Sequence, residues 1–294
     1  MKSVAFEYER PATIGAACRL LAADADARVL AGGQTLIAML AMRLARPSRL
    51  VDIGRIPELC GIRDEGEFVA IGAATRQAVA ERDPLITAKV PLLAKALPWV
   101  GHAPTRQRGT VGGSIANGDP AAEIALVAVT LDATLVVQSV EETSEIRAGE
   151  FYLGPMITAL PAGAILTTVR FPVWTETRIG TGFHEIAARK SDFALVAAAA
   201  QVALDGEGRC TRLAVGLGGA GDCPVRLDSV AEALVGMPLT EDAVRDAVGA
   251  ATADLETAED LHASGAYRRR VAATLARRAL LEAHNRAAGE QRAR

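Results

Sequence analysis

A chain of 294 residues, half of them apolar, can form two domains with a core each. Its formal charge of −3 excludes a nucleic-acid platform, and four isolated cysteines (Cys18, Cys60, Cys210, Cys223) with no C-x-x-C pair exclude a zinc or iron–sulfur site within the chain. No apolar leader follows Met1, and the longest nearly apolar stretch, 193–204, is too short to span a bilayer. The expectation is a cytoplasmic protein with no transmembrane segment.

Thr13 reads as the N-cap of a helix reaching about Ala23, with Ala17, Leu20 and Leu21 inward. Residues 27–30 read as a buried strand, Gly32-Gly33 as a turn, 36–44 as a helix ending before Pro47, and 50–53 as a strand. Together they make a small β–turn–α–β unit. Residues 59–62 and 68–72 flank Asp64-Glu65-Gly66 as a hairpin. Thr75 is expected to cap a helix to about Arg82, and 91–100 forms another helix. Residues 101–120, rich in Gly, Pro and Asn, read as one long functional loop. A helix over 121–131, strands over 134–140 and 164–171, and a domain boundary within 174–182 follow. The second half reads as strands 182–187, 194–204 and 212–217, then helices 229–234, 241–253 and 267–287. The fold class is α+β, with a domain at 1–175 (subdomains about 1–55 and 56–175) and a second at 178–287 built on a three-stranded antiparallel sheet with helices.

Two Gly-Gly turns carry the chemistry. Ala31-Gly32-Gly33-Gln34-Thr35 lies between a strand and a helix; Thr110-Val111-Gly112-Gly113-Ser114 precedes Ile115-Ala116-Asn117-Gly118-Asp119-Pro120. Each is expected to offer backbone N–H groups, unobstructed by a Cβ, beside hydroxyls. Gly32-Gly33 alone is better explained as a tight strand-to-helix turn, whereas Gly112-Gly113, between hydroxyl residues in a long loop, is the stronger signal. Together, with Thr35, Thr110 and Ser114 as side-chain donors, they point to one ligand with two phosphates. Gly216-x-Gly218-x-x-Gly221 matches a dinucleotide fingerprint in spacing but opens no helix, so it is set aside as an irregular strand end. Asp119 and Glu123 follow the second turn. Glu123 favours a ligand hydroxyl over helix N-terminal stabilisation, whereas for Asp119 the two readings balance. His102 and His184 are acid–base candidates with an equally simple structural reading. Arg189 to Phe193 reads as a turn with an aromatic core anchor, and the arginines of 268–278 as a solvated face or a partner contact.

These residues resemble the flavoprotein (medium) subunits of molybdenum hydroxylases, the xanthine dehydrogenase and carbon monoxide dehydrogenase family. The likeness rests on the first turn, on Arg106-x-Arg108-Gly109-Thr110-Val111-Gly112-Gly113-Ser114 with Asn117-x-Asp119-Pro120-Ala121-Ala122-Glu123, on Lys190-Ser191-Asp192-Phe193-Ala194, and on Asp260-Leu261-His262-Ala263-Ser264-x-x-Tyr267-Arg268-Arg269. It implies a two-subdomain FAD-binding domain like those of xanthine dehydrogenase and vanillyl-alcohol oxidase, then a smaller α+β domain, with FAD between them. The implied pyrophosphate loops are Val29, Leu30, Ala31, Gly32, Gly33, Gln34, Thr35 and Leu36, and Thr110, Val111, Gly112, Gly113 and Ser114. His102, Ala103, Asn117, Asp119 and Glu123 complete the cofactor contacts of the first domain. Glu123 stands where the family commonly has Asp. Leu160 and Leu166 fall near segments that line the flavin or adenine. His184, Lys190, Asp192 and Phe193 fall at the flavin end, His184 where several relatives carry Lys and Phe193 where some carry an aromatic. No catalytic residue and no metal ligand is implied in this chain. The implied partners are a large molybdopterin subunit and a small subunit with two [2Fe–2S] clusters, in a dimer of heterotrimers. Electrons would reach this FAD from the clusters and leave for an external acceptor. Two other readings stand beside this one: a self-contained FAD-dependent reductase, and a non-enzymatic dinucleotide-binding module.

Overall fold

The computed structural model describes residues 2–289. Near the N-terminus, β1 (Glu7–Glu9), β2 (Arg28–Leu30) and β3 (Arg49–Asp52) form a parallel sheet in the order β1-β3-β2, with Arg28 opposite Leu50. Between β1 and β2 runs α1 (Ile14–Ala22), capped by the Thr13 hydroxyl, which accepts from the Ala16 N–H at 3.2 Å. Ala17, Cys18 and Leu21 on its inner face pack with Val51 and Ile53 in a small core. The predicted β–turn–α–β unit is completed by α2 (Leu36–Ala41). That helix is shorter than predicted: Arg43 has φ 61°, a left-handed conformation that cannot continue an α-helix.

The second subdomain holds a five-stranded antiparallel sheet. β4 (Ile62–Asp64), β5 (Phe68–Gly72), β6 (Thr134–Gln138) and β7 (Thr143–Arg147) are joined, after a small hairpin of β8 (Tyr152–Gly154) and β9 (Ile157–Thr158), by β10 (Ile165–Pro172), in the order β4-β5-β10-β6-β7. Sequence reading missed β7 because Thr-Ser-Glu-Ile-Arg is a polar edge strand. The helices are α3 (Gln77–Ala80), α4 (Pro84–Lys89), α5 (Pro91–Ala96), α6 (Ala103–Arg108), α7 (Val111–Ala116), α8 (Glu123–Thr130) and α9 (Ala148–Phe151). After its first residue α8 is buried on every side, which is why it shows little amphipathic pattern.

Two expectations are corrected here. Residues 101–120 are not one long loop but hold α6 and α7. Thr75 caps no helix: its hydroxyl bonds the Gly61 backbone N–H (3.0 Å) and carbonyl (3.1 Å), and α3 begins after Arg76.

β11 (Ile179–Ala187), β12 (Ala194–Leu204), β13 (Cys210–Gly218) and β14 (Val225–Arg226) make the C-terminal antiparallel sheet in that order. It has four strands where three were expected; β14 is only two residues long. α10 (Asp228–Leu234), α11 (Glu241–Thr252) and α12 (Gly265–Ala288) follow. One face of β12, with Val196, Ala198, Ala200 and Val202, packs on these helices, while Ala197, Ala199 and Ala203 join the core around α8. Burial on both faces explains why 194–204 reads as an unbroken apolar run. Gly180 and Gly182 let α12 approach β11 closely: a Cβ on either would collide with the carbonyls of Ala283 and Ala279.

Candidate functional site

The two Gly-Gly segments lie 80 positions apart but meet in space. A Cβ built on Gly32 would stand 2.5 Å from the Arg108 carbonyl oxygen and 2.8 Å from Gly109 Cα; one on Gly113 would stand 3.4 Å from Ala31 Cβ and 2.5 Å from Thr110 Oγ1. Any larger residue at Gly32 forces the segments apart. Gly33 turns the chain from β2 into α2 with φ +72°, a conformation that suits glycine.

What each segment offers differs. The backbone N–H groups of Gly33, Gln34 and Thr35 donate to no protein acceptor among the described residues, so the first turn presents open donors. The second segment is not an open loop but the start of α7, and its amides are consumed internally. Val111 N–H bonds Thr75 O (3.0 Å), Gly112 N–H bonds Ala73 O (2.9 Å) and Ser114 N–H bonds Thr110 O (3.1 Å). The Gly113 N–H bonds Thr110 Oγ1 at 3.1 Å, so Thr110 is a buried helix cap. The expectation that both turns offer free amides is corrected. Gly112 is buried, and glycine is required there because a Cβ would collide with Ala73; Gly113, half-buried, is the α7 glycine that lies beside Ala31 of the first turn.

Beyond α7 the chain turns at Gly118 (φ +69°), and the β8–β9 hairpin docks there through the Met156 N–H on Gly118 O at 2.9 Å. Asn117 and Ser114 are half-buried beside this turn. Asp119 accepts from the Ala121 N–H at 2.9 Å, so one of its oxygens serves the local turn. Glu123 opens α8, and burial pushes its carboxyl up to about 7, the charge of Asp119 adding to the shift. His102 and Ala103 are exposed at the start of α6. Leu160 packs at the edge of the main core, whereas Leu166 is buried inside it on β10; cofactor contact at Leu166 would fall to its backbone.

The alternation of β11 separates two neighbours. His184 shares the face of Gly180 and Gly182. Its Nε2 lies 3.0 Å from Glu282 on α12, and Glu282 also pairs with Lys95 of α5 at 2.8 Å. Burial lowers the pKa of His184, opposed by the Glu282 charge. Glu185 points to the opposite face, with Phe183, which packs against Trp99 at 5.8 Å. Burial, followed by the charge of Glu123, pushes Glu185 up to about 8, and its Oε2 is shielded without a hydrogen-bond partner. Sequence reading missed Glu185, although its position two residues after the inward Phe183 carried the signal. Lys190 is exposed, Asp192 bonds Arg189 at 2.9 Å, and Phe193 is 73 % exposed. The plainer of the two readings of Phe193, a core anchor, does not hold: Ser191, with φ 68°, reverses the chain just before it and the ring is exposed.

The arrangement fits a phosphate-bearing ligand on the first turn, held against Gly113 of α7. Among the described residues no cluster of His, Cys, Asp or Glu is arranged to hold a metal, and no helix is long and apolar enough to cross a membrane. The fingerprint-like glycines at 216–221 open no helix: a Cβ on Gly216 would strike Thr130 of α8, so their role there is close packing.

Two family descriptions match the chain: an FAD binding domain in molybdopterin dehydrogenase over residues 4–174, and a CO dehydrogenase flavoprotein C-terminal domain over residues 181–283. It is 35% identical to a 6-hydroxypseudooxynicotine dehydrogenase complex subunit alpha of Paenarthrobacter nicotinovorans, over 98% of this chain and 97% of the relative. It is 34% identical to the carbon monoxide dehydrogenase medium chain of Hydrogenophaga pseudoflava, over 94% and 96%. A chain of the quinoline 2-oxidoreductase structure from Pseudomonas putida 86 superposes with a TM-score of 0.91 at 36% identity, covering 99% of each.

Proposed function

The chain belongs to the FAD-binding medium subunits of the molybdenum hydroxylase family, oxidoreductase components, and from that premise we propose that it is the electron-transfer flavoprotein of such a complex. It takes electrons from [2Fe–2S] clusters of a small partner subunit, supplied by a large molybdopterin subunit, and passes them to an external acceptor. Two such heterotrimers pair. The single observation that carries the reading is the close approach of Gly32 to the Arg108 carbonyl, which brings the first turn, with its open backbone donors at 33–35, against the segment that leads into α7.

When bound, FAD supplies the capacity to accept electrons singly and to release them singly or in pairs. The chain's residues do the rest. Gly33, Gln34 and Thr35 would hold the diphosphate through their open N–H groups. Gly113 would allow the backbone a close approach, Gly112 seating α7 against Ala73, and Ser114 and Asn117 would add side-chain donors. Glu123, half protonated near neutral pH, can donate to or accept from a cofactor hydroxyl. Domain 1–175 holds the diphosphate side and 178–287 closes the flavin side, with Lys190, Asp192 and Phe193 at its edge. An exposed Phe193 is suited to cover a flat ring.

The test is purification of the native assembly with flavin, iron and molybdenum analysis. Flavin in a one-to-one ratio with this chain, together with iron and molybdenum in co-purifying subunits, is the expected result. A chain that stays colourless when offered FAD overturns the reading. A yellow chain that turns over substrate alone, without metals, favours the self-contained reductase.

A further inference from the structure

We propose that Arg76 is the cationic partner of the cofactor's diphosphate and sets the preference for FAD over flavins without it, an inference that rests on the flavin-binding reading. Arg76 caps the start of α3, and its backbone bridges to Thr110. Its Nη1 donates to the Arg108 carbonyl, the same oxygen that abuts Gly32. On its other side, the position of a Cβ on Gly54 lies 3.7 Å from Arg76 Nη2 and 3.8 Å from Ala31 O. The guanidinium thus stands where the 31–33 turn, the 52–54 turn and the 108–110 segment converge.

Charge balance requires a cation there. A diphosphate brings two negative charges, and the amides at the start of α7 are already spent within the protein. Of the nearby cations, Arg10 pairs with Asp52 at 3.1 Å and Arg106 with Glu81 at 2.9 Å, while Arg55 and Arg108 form no ion pair among the described residues but are exposed, whereas Arg76 is half-buried between the three segments. Asp52, the carboxylate next to Gly54, is satisfied by Arg10 and Tyr8 on one oxygen and by the Gly54 N–H (2.9 Å) on the other. Among the described residues Arg76 forms no ion pair and makes one hydrogen bond, to a neutral carbonyl. A half-buried guanidinium with four remaining N–H donors and no counter-charge is matched to a planar fork of phosphate oxygens. Its bond to Arg108 fixes the side chain beside both segments, so little freedom is lost on binding. Sequence reading passed over Arg76 because it lies outside both glycine motifs.

The experiment uses the full chain stripped of flavin, titrated with FAD and with riboflavin by flavin fluorescence, with ADP as competitor. Arg76→Met should raise the Kd for FAD by at least about tenfold and weaken ADP competition in parallel, while riboflavin affinity stays within about twofold. Wild-type FAD affinity should fall between about 50 and about 500 mM salt, and Arg76→Lys should keep that slope while Arg76→Met loses it. Arg76→Met binding FAD as the wild type does would overturn the inference. So would equal losses for FAD and riboflavin, since Arg76 would then only pin the two segments together. Should Arg76→Met fail to fold, the wild-type titration decides alone: FAD binding no more salt-sensitive than riboflavin binding refutes a charge contact. A wild-type chain that binds neither flavin refutes the flavin reading instead.

Discussion

Gly32→Ala tests the geometry on which the cofactor site depends. The added methyl would sit 2.5 Å from the Arg108 carbonyl oxygen and 2.8 Å from Gly109 Cα, both backbone atoms that cannot rotate away. Restoring ordinary contact distances of about 3.5 Å requires the segments to separate by about an ångström. The flavin-free chain should lose about 1–3 kcal/mol, the usual cost of overpacking. FAD binding should weaken as well, because on the proposed reading the diphosphate is held between the two segments. A cradle loosened by about an ångström should cost about 2 kcal/mol of binding, roughly thirtyfold in Kd. Thermal melts without flavin and fluorescence titration with FAD separate the two effects. Gly206→Ala, in an exposed turn with nothing within 4 Å of the new methyl, should leave both unchanged. If Gly32→Ala binds FAD with wild-type affinity, the two segments do not form the cradle.

Three further outcomes are expected. Because burial raises Glu123 from 4.5 to about 7 in the folded chain, the folded state holds a proton that the unfolded chain releases from about pH 4.5 upward. Wild-type stability without flavin should therefore fall as pH rises from about 4.5 through 7, Glu185, raised to about 8, adding its own share, and Glu123→Gln should reduce the fall by about 3 kcal/mol by pH 8; denaturant melts at both ends of the range measure it, and parallel curves would sink the idea. Arg268, 4 % exposed, donates to the Leu195 and Gly219 carbonyls (2.5 and 2.8 Å) and to Asp260 (2.7 Å), so Arg268→Met should cost about 3 kcal/mol in urea unfolding while leaving the FAD Kd of the folded fraction unchanged. Gly182→Ala drives a methyl into the Ala279 carbonyl and should cost about 3 kcal/mol, read as a lower melting temperature; an unchanged melt would mean α12 does not lie on β11 as described.

Much of the fold was legible because its signals are local. Thr13, Gly32-Gly33 and the apolar run at 50–53 mark the β–turn–α–β unit with no help from distant residues. The run at 194–204 announced a strand, and the structure shows it buried on both faces. Residues 101–120 misled for an equally local reason. Glycine, proline and asparagine lower helix propensity, yet α6 and α7 form because Arg106 bonds Glu81 and the carbonyls of Val100 and Gly101, and the α7 amides pair with Ala73 and Thr75. At Phe193 the plainer reading, a core anchor, failed because the left-handed turn at Ser191 turns the ring out.

The chain's chemistry shows the same division. The amino-acid order alone determined the two glycine motifs, the acidic residues behind them, the lack of metal-ligand spacing and the resemblance to a flavoprotein family. Those properties are written in residue type and spacing. Tertiary structure decided which glycine segment keeps its amides open, because the partners that close the other, Ala73 and Thr75, come from before α3. It placed His184 against Glu282 and turned Glu185 toward Glu123, a choice made by strand alternation and the approach of α12. It also set Arg76 beside Gly32 and Arg108, from three separate stretches of chain. Motifs survive in one dimension; the saturation of an amide, the facing of a side chain and the pairing of a charge exist only after distant segments have met.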